Sequence, residues 1–148
     1  MKIFIENPAG TTKKKEFLED TQEWVDKPTM AVPYPFPYGF IPNTLQSDGD
    51  PLDAFLITNN KKERGDVIEV DVLGLVEFYE DNERDFKILT KPLDEDTTIT
   101  PDVKKKLTNF MLHAFDNNRS KTVKVGEFHG MDIAMEEIEK CHQGSFQK

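Results

Sequence analysis

The chain has 148 residues, 32% of them charged, and a formal net charge of −9 at neutral pH. This length fits about one domain, so we expect a single domain over residues 1–148 with a frayed tail at about 143–148. The negative charge argues against nucleic acid or an anionic membrane as the main partner. The single cysteine, Cys141, rules out an internal disulfide. With no signal peptide and no run of about 20 apolar residues, the sequence predicts a cytoplasmic protein.

Up to residue 90 the chain predicts a series of short β-strands. Alternating polar and apolar side chains predict strands at 2–6 and 67–79, and an unbroken apolar run predicts a strand buried on both faces at 53–58. Gly74 lies inside the longest of these segments and predicts a β-bulge or a bend in a barrel wall. The remaining strands in this part are predicted at 22–26 and 85–90.

Towards the C-terminus the hydrophobic period changes to that of helices. Thr100 followed by Pro101 is typical of a helix start, with threonine as N-cap and proline at the first helical position. Apolar residues then recur at helical spacing as far as Ala114, and Asn117-Asn118 ends the helix. The elements predicted after it are a short strand at 122–125 and a second helix at 132–142. This order indicates a mainly β fold with flanking helices, in which a small closed barrel carries two helices outside it.

An acidic turn follows a proline-rich aromatic segment in the middle of the chain. Asp48, Asp50 and Asp53 place three carboxylates within six positions. Gly49 allows a tight turn between two of them, and Pro51 favours an extended conformation for the residue before it. Carboxylates at this spacing on a stiff loop favour a site for a hard divalent cation. The alternative is an ordinary Asp-Gly-Asp-Pro surface turn.

A second acidic cluster consists of Glu80, Asp81, Glu83 and Asp85, followed by Lys87. Its plain interpretation is a solvated hairpin turn. If the strand that leaves it lies beside the strand after the first acidic turn, both clusters meet at one mouth of the barrel. So many carboxylates would repel one another without cations. Several Mg²⁺ ions would relieve this repulsion, and Mg²⁺ favours a partner that supplies phosphate oxygens.

Basic and phenolic side chains close to these turns in the sequence are candidates for binding phosphate oxygens. They are Lys14, Lys15, Lys27, Lys87, Tyr34 and Tyr38. No motif for a competing nucleophile is present, neither G-x-S-x-G nor a Walker A loop. The three histidines, His113, His129 and His142, have no metal-ligand spacing among them.

Several of these segments together resemble the soluble family I inorganic pyrophosphatases. The motifs that carry the resemblance are Tyr34-Pro-x-x-Tyr38-Gly-Phe-Ile-Pro, Asp48-Gly-Asp-Pro-Leu-Asp53, Gly65-Asp66-Val-Ile-Glu-Val, Leu73-Gly-Leu and Asp85-x-Lys87. The resemblance covers nearly the whole chain. It implies Mg²⁺-dependent hydrolysis of pyrophosphate to two phosphates on a distorted five-stranded OB-like barrel. It also implies a homo-oligomer, with a hexamer favoured and a dimer possible.

The resemblance further implies roles for individual residues. Asp50 is implied as the general base beside the attacking water. The implied metal ligands are Asp48, Asp53, Asp85, Glu80 and, through water, Glu6. The implied substrate contacts are Lys14, Glu16, Lys27, Tyr34, Tyr38 and Lys87, with Lys15 as the alternative to Lys14.

The sequence departs from the family pattern at several of these positions. Lys27 stands where the family usually has arginine, and Glu80 stands where it has aspartate. Ala114-Phe115 replaces a Tyr-Lys pair, and losing one hydrogen bond to a charged group costs about 1.5–3 kcal/mol. The residues available to fill that gap are Arg119, Lys121 and Lys124. The departures leave two alternatives open: a related hydrolase of organic phosphoanhydrides, and a non-catalytic protein that binds metal and phosphate.

Overall fold

The computed structural model of the chain describes residues 1–46 and 49–142. Within these ranges it has nine β-strands and two α-helices, named here in chain order. The strands are β1 (Lys2–Asn7), β2 (Lys15–Leu18), β3 (Glu23–Asp26), β4 (Tyr38–Phe40), β5 (Asp53–Leu56), β6 (Val67–Glu80), β7 (Glu83–Arg84), β8 (Lys87–Pro92) and β9 (Val123–His129). The helices are α1 (Pro101–His113) and α2 (Met131–Cys141).

Five of the strands close into a ring. The ring runs β1-β4-β5-β8-β6 and returns to β1, because β6 pairs with β1 as well as with β8. The pairing of β5 with β8 is parallel and the other four pairings are antiparallel. The ring is uneven about its axis, so the fold is a distorted OB-like barrel with two helices that follow most of the strands. The sequence-based prediction of the fold is therefore confirmed.

The 14-residue strand β6 is the longest element of the barrel. Its buried and exposed residues alternate in the first half, as the sequence pattern predicts. The pairing with β8 shifts register between Val72 and Gly74, which confirms the predicted bulge. A side chain at Gly74 would overlap the backbone carbonyl oxygen of His129, so a glycine is needed for β9 to pass this close.

Strand β5 is buried on both faces, as predicted, and it joins two hydrophobic clusters. Ala54 and Leu56 belong to a cluster that also contains the apolar face of α2. Phe55 and Leu89 belong to a cluster that contains the apolar face of α1. Because successive side chains of a strand point to opposite faces, one short strand can serve both clusters. Each helix thus packs on its own cluster beside the barrel.

Helix α1 begins where its capping residues predict. The Thr100 side chain accepts a hydrogen bond of 3.2 Å from the backbone N–H of Val103, and Pro101 opens the helix. Helix α2 begins at Met131, one residue before the predicted start, with Gly130 as its N-cap. No helix of the described residues is long and apolar enough to cross a membrane. The predicted tail at 143–148 lies outside the described residues.

Three strands were not anticipated by the sequence pattern: β2, β4 and the two-residue β7, which lies in the segment predicted as a turn. Strand β2 pairs with β3 in a separate hairpin, and its four side chains are all half-buried, so no alternation marks it. Strand β4 has three residues inside the proline-rich segment, too few for a periodic signal. The predicted strand at 122–125 is wrong in length, because β9 extends to residue 129. Gly126, just after the predicted end, lies within β9 and makes room for the Glu77 side chain of the neighbouring strand.

Candidate active site

The parallel pairing of β5 with β8 brings the two acidic clusters together. Ala54 lies opposite Ile88, so Asp53 and Lys87 stand side by side at the first residues of the two strands. The Lys87 ammonium group donates hydrogen bonds of 2.8 Å each to Asp53 Oδ2, Asp85 Oδ2 and Tyr38 Oη. The predicted convergence is therefore present for Asp53 and Asp85, and Glu80 joins them in the wall of one cavity, whereas Asp81 and Glu83 of the second cluster do not line it.

The charges of this group stabilise one another in a buried place. Burial raises the pKa of Asp53 to about 6, although the Lys87 charge opposes the rise. Burial would also lower the pKa of Lys87, but the charges of Asp53 and Asp85 outweigh it and raise that pKa well above its usual value. For Asp85, the Lys87 charge and hydrogen bonds from Lys87 and Gln46 outweigh burial and lower the pKa. Lys87 is thus a charged lysine in the barrel wall.

A cavity of about 770 Å³ opens at this end of the barrel. Ten of the twelve side chains proposed from the sequence line it: Glu6, Lys14, Glu16, Tyr34, Tyr38, Asp50, Asp53, Glu80, Asp85 and Lys87. Among the described residues, Lys27 does not line it; its Nζ lies 3.7 Å from Glu16 Oε2. Asp48 lies outside the described residues. The individual roles of all twelve stay predictions.

Glu6 fixes the edge of the cavity to the β2–β3 hairpin. Its Oε2 accepts a hydrogen bond of 2.8 Å from the backbone N–H of Phe17, and its side chain is buried. Burial raises the pKa of Glu6 to about 8, although that hydrogen bond acts in the opposite direction. Arg64 strengthens the connection by donating to the carbonyl oxygens of Glu6 and Lys13 at 2.6 and 2.7 Å. The lysines at the start of the hairpin are thereby held against β1.

Gln46 connects the acidic turn to the rest of the site. Its backbone N–H donates a hydrogen bond of 2.8 Å to the backbone carbonyl oxygen of Asp50. Its side-chain amide donates one of 3.1 Å to the backbone carbonyl oxygen of Pro51. The same side chain hydrogen-bonds Asp85. Gly49 adopts a φ of +90°, which confirms that the turn needs glycine there. Sequence reasoning missed Gln46, since a glutamine before a turn carries no signal of this contact.

The two tyrosines stack on each other at the wall of the cavity. Their ring centroids lie 5.3 Å apart, and burial raises the pKa of both hydroxyls. The Tyr38 hydroxyl accepts the hydrogen bond from Lys87. The Tyr34 hydroxyl is buried and has no hydrogen-bond partner among the described residues. A buried hydroxyl without a partner costs free energy, and the residue that carries this one lines the cavity.

One part of the cavity wall is apolar, and two ammonium groups, those of Lys14 and Lys121, lie close to it. Met111, Ala114 and Phe115 line it. The Lys121 ammonium group lies 4.6 Å from the centroid of the Phe115 ring and 3.3 Å from Glu80 Oε1. Of the basic residues considered for the gap left by Ala114-Phe115, Lys121 therefore lies beside Phe115 and Glu80, which line the cavity, although Lys121 itself is not one of the described residues that line it. Lys124 instead lies over the ring of Tyr79, at 5.8 Å.

A separate group of ligand-type side chains lies outside the cavity. Carboxylate oxygens of Glu77 and Glu127 and a ring nitrogen of His129 lie within 4.8 Å of one another. His129 Nε2 and Glu77 Oε2 are 2.6 Å apart, and this hydrogen bond lowers the pKa of Glu77. Spacing among the histidines alone did not reveal this group, because its other members are glutamates on two strands.

Fold and site together define a barrel protein whose cavity lies at the ends of two parallel strands. Carboxylates and lysines line this cavity, which suits a phosphate compound that binds together with cations. The family model described as inorganic pyrophosphatase matches residues 3–145. An inorganic pyrophosphatase of Nanoarchaeum equitans is 34% identical, over 98% of this chain and 96% of that protein. One of Saccharolobus solfataricus is 31% identical, over 94% of this chain and 88% of that protein.

Solved structures agree with this match. An inorganic pyrophosphatase of Helicobacter pylori superimposes with a TM-score of 0.91 at 26% identity, over all of this chain and 94% of that one. The chain belongs to the inorganic pyrophosphatase family, whose members are hydrolases of a phosphoanhydride bond.

Proposed function

We propose that this protein hydrolyses pyrophosphate to two orthophosphates with Mg²⁺ as the metal. The observation that carries the proposal is the group in which Lys87 bridges Asp53 and Asp85 at the ends of β5 and β8. Of the described residues, eight carboxylates and three lysines line the cavity, a space that a small polyanion with several cations would fill. A binding protein for a simple anion would have no need of so many carboxylates, because they repel it.

The residues present suit a hard divalent cation. All candidate ligands are carboxylate oxygens, which is the donor type that Mg²⁺ takes, and Mg²⁺ completes its shell with water and substrate oxygens. Asp53, Asp85 and Glu80 would hold the ions together with Asp48, and Glu6 would act through water. Bound metal ions would neutralise the phosphates and lower the pKa of a water molecule. The buried carboxyl of Asp53, whose pKa burial raises to about 6, would be ionised more readily beside a cation.

Asp50 is the residue proposed to accept the proton of the attacking water. It lies at the exposed end of the acidic turn and lines the cavity, so both solvent and substrate can reach it. The water oxygen forms a bond to phosphorus while the bridging P–O bond breaks, and one proton passes to the Asp50 carboxylate. The other proton stays on the phosphate formed from the water. Lys87 keeps the Asp53 and Asp85 carboxylates in position throughout.

The substrate contacts proposed are of three kinds. Lys14 supplies positive charge from the hairpin, and Lys27 acts with it through Glu16. Tyr34 supplies the hydroxyl that lacks a partner among the described residues. Lys87 and Tyr38 act as a pair, since they are hydrogen-bonded. Charge-assisted hydrogen bonds of this type orient phosphate oxygens strongly.

The test is phosphate release from pyrophosphate with millimolar Mg²⁺ and after chelation. We expect turnover only with the metal. Asp50→Asn keeps the size of the side chain and removes its basicity, so it should lower kcat by about 10²–10⁴-fold. Asp66→Asn, in the loop before β6, is the matched control and should keep the parent rate. No phosphate release by the parent protein with Mg²⁺ would end the proposal.

An organic phosphoanhydride is the second candidate substrate, because Met111, Ala114 and Phe115 make one end of the cavity apolar. A panel that compares pyrophosphate with nucleoside di- and triphosphates decides between them. Higher kcat/KM for a nucleotide would favour this candidate. Strict preference for pyrophosphate would exclude it.

The assembly and the compartment are also proposals. We propose a cytoplasmic homo-oligomer, with a hexamer favoured over a dimer. Sedimentation velocity over a range of protein concentrations tests the assembly. A monomer at micromolar concentration would contradict it.

A further inference from the structure

The ammonium groups of Lys14 and Lys87 line the cavity, and that of Lys121, whose role is unassigned, lies beside the cavity-lining residues Phe115 and Glu80. Lys14 and Lys121 both lie close to the ring of Phe115, with their Nζ atoms 5.5 and 4.6 Å from its centroid. Lys87 is close enough to Lys14 to lower its pKa, and so is Lys121. Lys121 reaches this place from the loop between α1 and β9, so its position could not be read from sequence spacing.

Like charges held this close together raise the free energy of the protein without ligand. Burial is the largest cause of the lowered pKa of Lys14, and the charges of Lys87 and Lys121 add to it. Nearby carboxylates compensate in part, since Glu80 Oε1 lies 3.3 Å from Lys121 Nζ. A polyanion between the lysines would remove the repulsion. The arrangement is therefore the one expected for an anion-binding site that is completed by its ligand.

The Phe115 ring is better suited than a second carboxylate to hold the ammonium group of Lys121 for binding an anion. An aromatic face attracts an ammonium group by its quadrupole, which positions the group but leaves its charge intact. The ring therefore does not neutralise Lys121; within the described part of the chain, its charge is compensated only by Glu80, at 3.3 Å. Phe115 lines the cavity together with Glu80 and Lys14, so both immediate neighbours of Lys121 lie at the surface where a ligand would bind.

We propose that Lys121 binds a phosphate oxygen of the substrate and that the Phe115 ring holds its ammonium group at the rim of the cavity. This inference rests on the proposed function, because the anion it concerns is pyrophosphate. Lys121 is then a substrate contact from the loop after α1, opposite the contacts that Lys87 and Tyr38 make from the barrel wall.

The variant that tests this is Lys121→Met, which keeps an unbranched side chain of nearly the same length and removes the ammonium group. The control is Lys124→Met, because Lys124 likewise lies over an aromatic ring, that of Tyr79. Affinity for imidodiphosphate, an analogue with a nitrogen bridge, is measured by calorimetry in millimolar Mg²⁺. We expect Lys121→Met to weaken binding about 10-fold or more, the loss expected for one hydrogen bond to a charged group.

Further comparisons separate a contact with the ligand from a structural effect. Lys121→Arg should recover most of the affinity, and Lys124→Met should bind as the parent does. In a Glu80→Gln background, Lys121→Met should still weaken binding, because its contact is with the anion. Loss of the effect in that background would mean that Lys121 acts only on Glu80, and would overturn the inference.

Measurements of activity and of binding together distinguish the role inferred for Lys121 from the proposed function. If the parent hydrolyses pyrophosphate and Lys121→Met keeps the parent kcat/KM and affinity, the inference is wrong and the proposed function stands. If the parent does not hydrolyse pyrophosphate, the proposed function fails. In that case calorimetry with inorganic phosphate still decides the role of Lys121: an equal affinity of parent and Lys121→Met overturns it, and a 10-fold loss supports it.

Discussion

The carboxyl group of Glu6 is held in a place that water scarcely reaches. Only 6% of the residue is exposed, and burial raises its pKa from the usual 4.5 to about 8. The folded protein therefore holds this proton more tightly than the unfolded chain does. The stability that results is fully present below about pH 4.5 and is lost as the pH rises through about 8.

Glu6→Gln is expected to flatten this pH dependence. In metal-free protein, the free energy of unfolding of the parent should fall by about 1–3 kcal/mol between about pH 6 and 8, and that of the variant should fall less. Asp53 contributes mainly below this window, because burial raises its pKa to about 6. Urea unfolding at several pH values measures the effect, with the exposed Glu63→Gln as control. Parallel pH profiles of parent and Glu6→Gln would contradict the explanation.

At the scale of the elements, the close approach of β1 and β4 depends on Gly39. A side chain at this position would overlap the backbone carbonyl oxygen of Phe4, and neither strand can move without opening the ring. Gly130 is a contrasting position, because a Cβ there meets no atom within 4 Å. The fold thus needs a glycine at position 39, where two backbones meet, but not at position 130, at the start of α2.

Gly39→Ala is therefore expected to destabilise the protein strongly. We expect the free energy of unfolding to fall by at least about 2 kcal/mol, in the range measured for overpacked cores. For Gly130→Ala, which only alters a helix N-cap, we expect a fall of roughly 1 kcal/mol or less. Thermal and urea unfolding of both variants give the comparison. Equal stabilities would mean that the β1–β4 contact relaxes at no cost.

The elements that sequence reasoning found are those with a clear period. The alternation in β6 and the apolar run of β5 marked both strands, and Thr100-Pro101 marked the start of α1. Strands β2 and β4 carried no such signal, since one is half-buried throughout and the other has three residues. The site followed the same rule. Its acidic turns are local patterns, whereas Gln46 joins it only through a contact with the distant Asp85, and sequence alone offered Arg119, Lys121 and Lys124 without choosing among them.

For the whole molecule, bound metal should be a source of stability. A ligand that binds only the folded state at a hundred times its dissociation constant adds about 2.7 kcal/mol. Millimolar Mg²⁺ is therefore expected to raise Tm by several degrees over protein in a chelator, since 1 kcal/mol corresponds to about 2–4 °C at this chain length.

Two variants separate the cavity from the surface group as the origin of this shift. Asp85→Asn should abolish most of the Mg²⁺-induced rise in Tm. Glu77→Gln, in the group with Glu127 and His129, should leave the rise unchanged. The reverse pattern would place the stabilising ion on the outer face of the barrel, away from the cavity.

The closed ring of strands also affects the order in which the chain folds. Asp53 and Lys87 are 34 positions apart in sequence, and they meet only when the parallel β5–β8 pair forms. The ring itself closes when β1, at the beginning of the chain, pairs with β6. Closing such loops costs chain entropy before any contact repays it, so these pairings are expected late in folding. A chain emerging from the ribosome would then remain without its catalytic centre until almost all of the barrel has assembled.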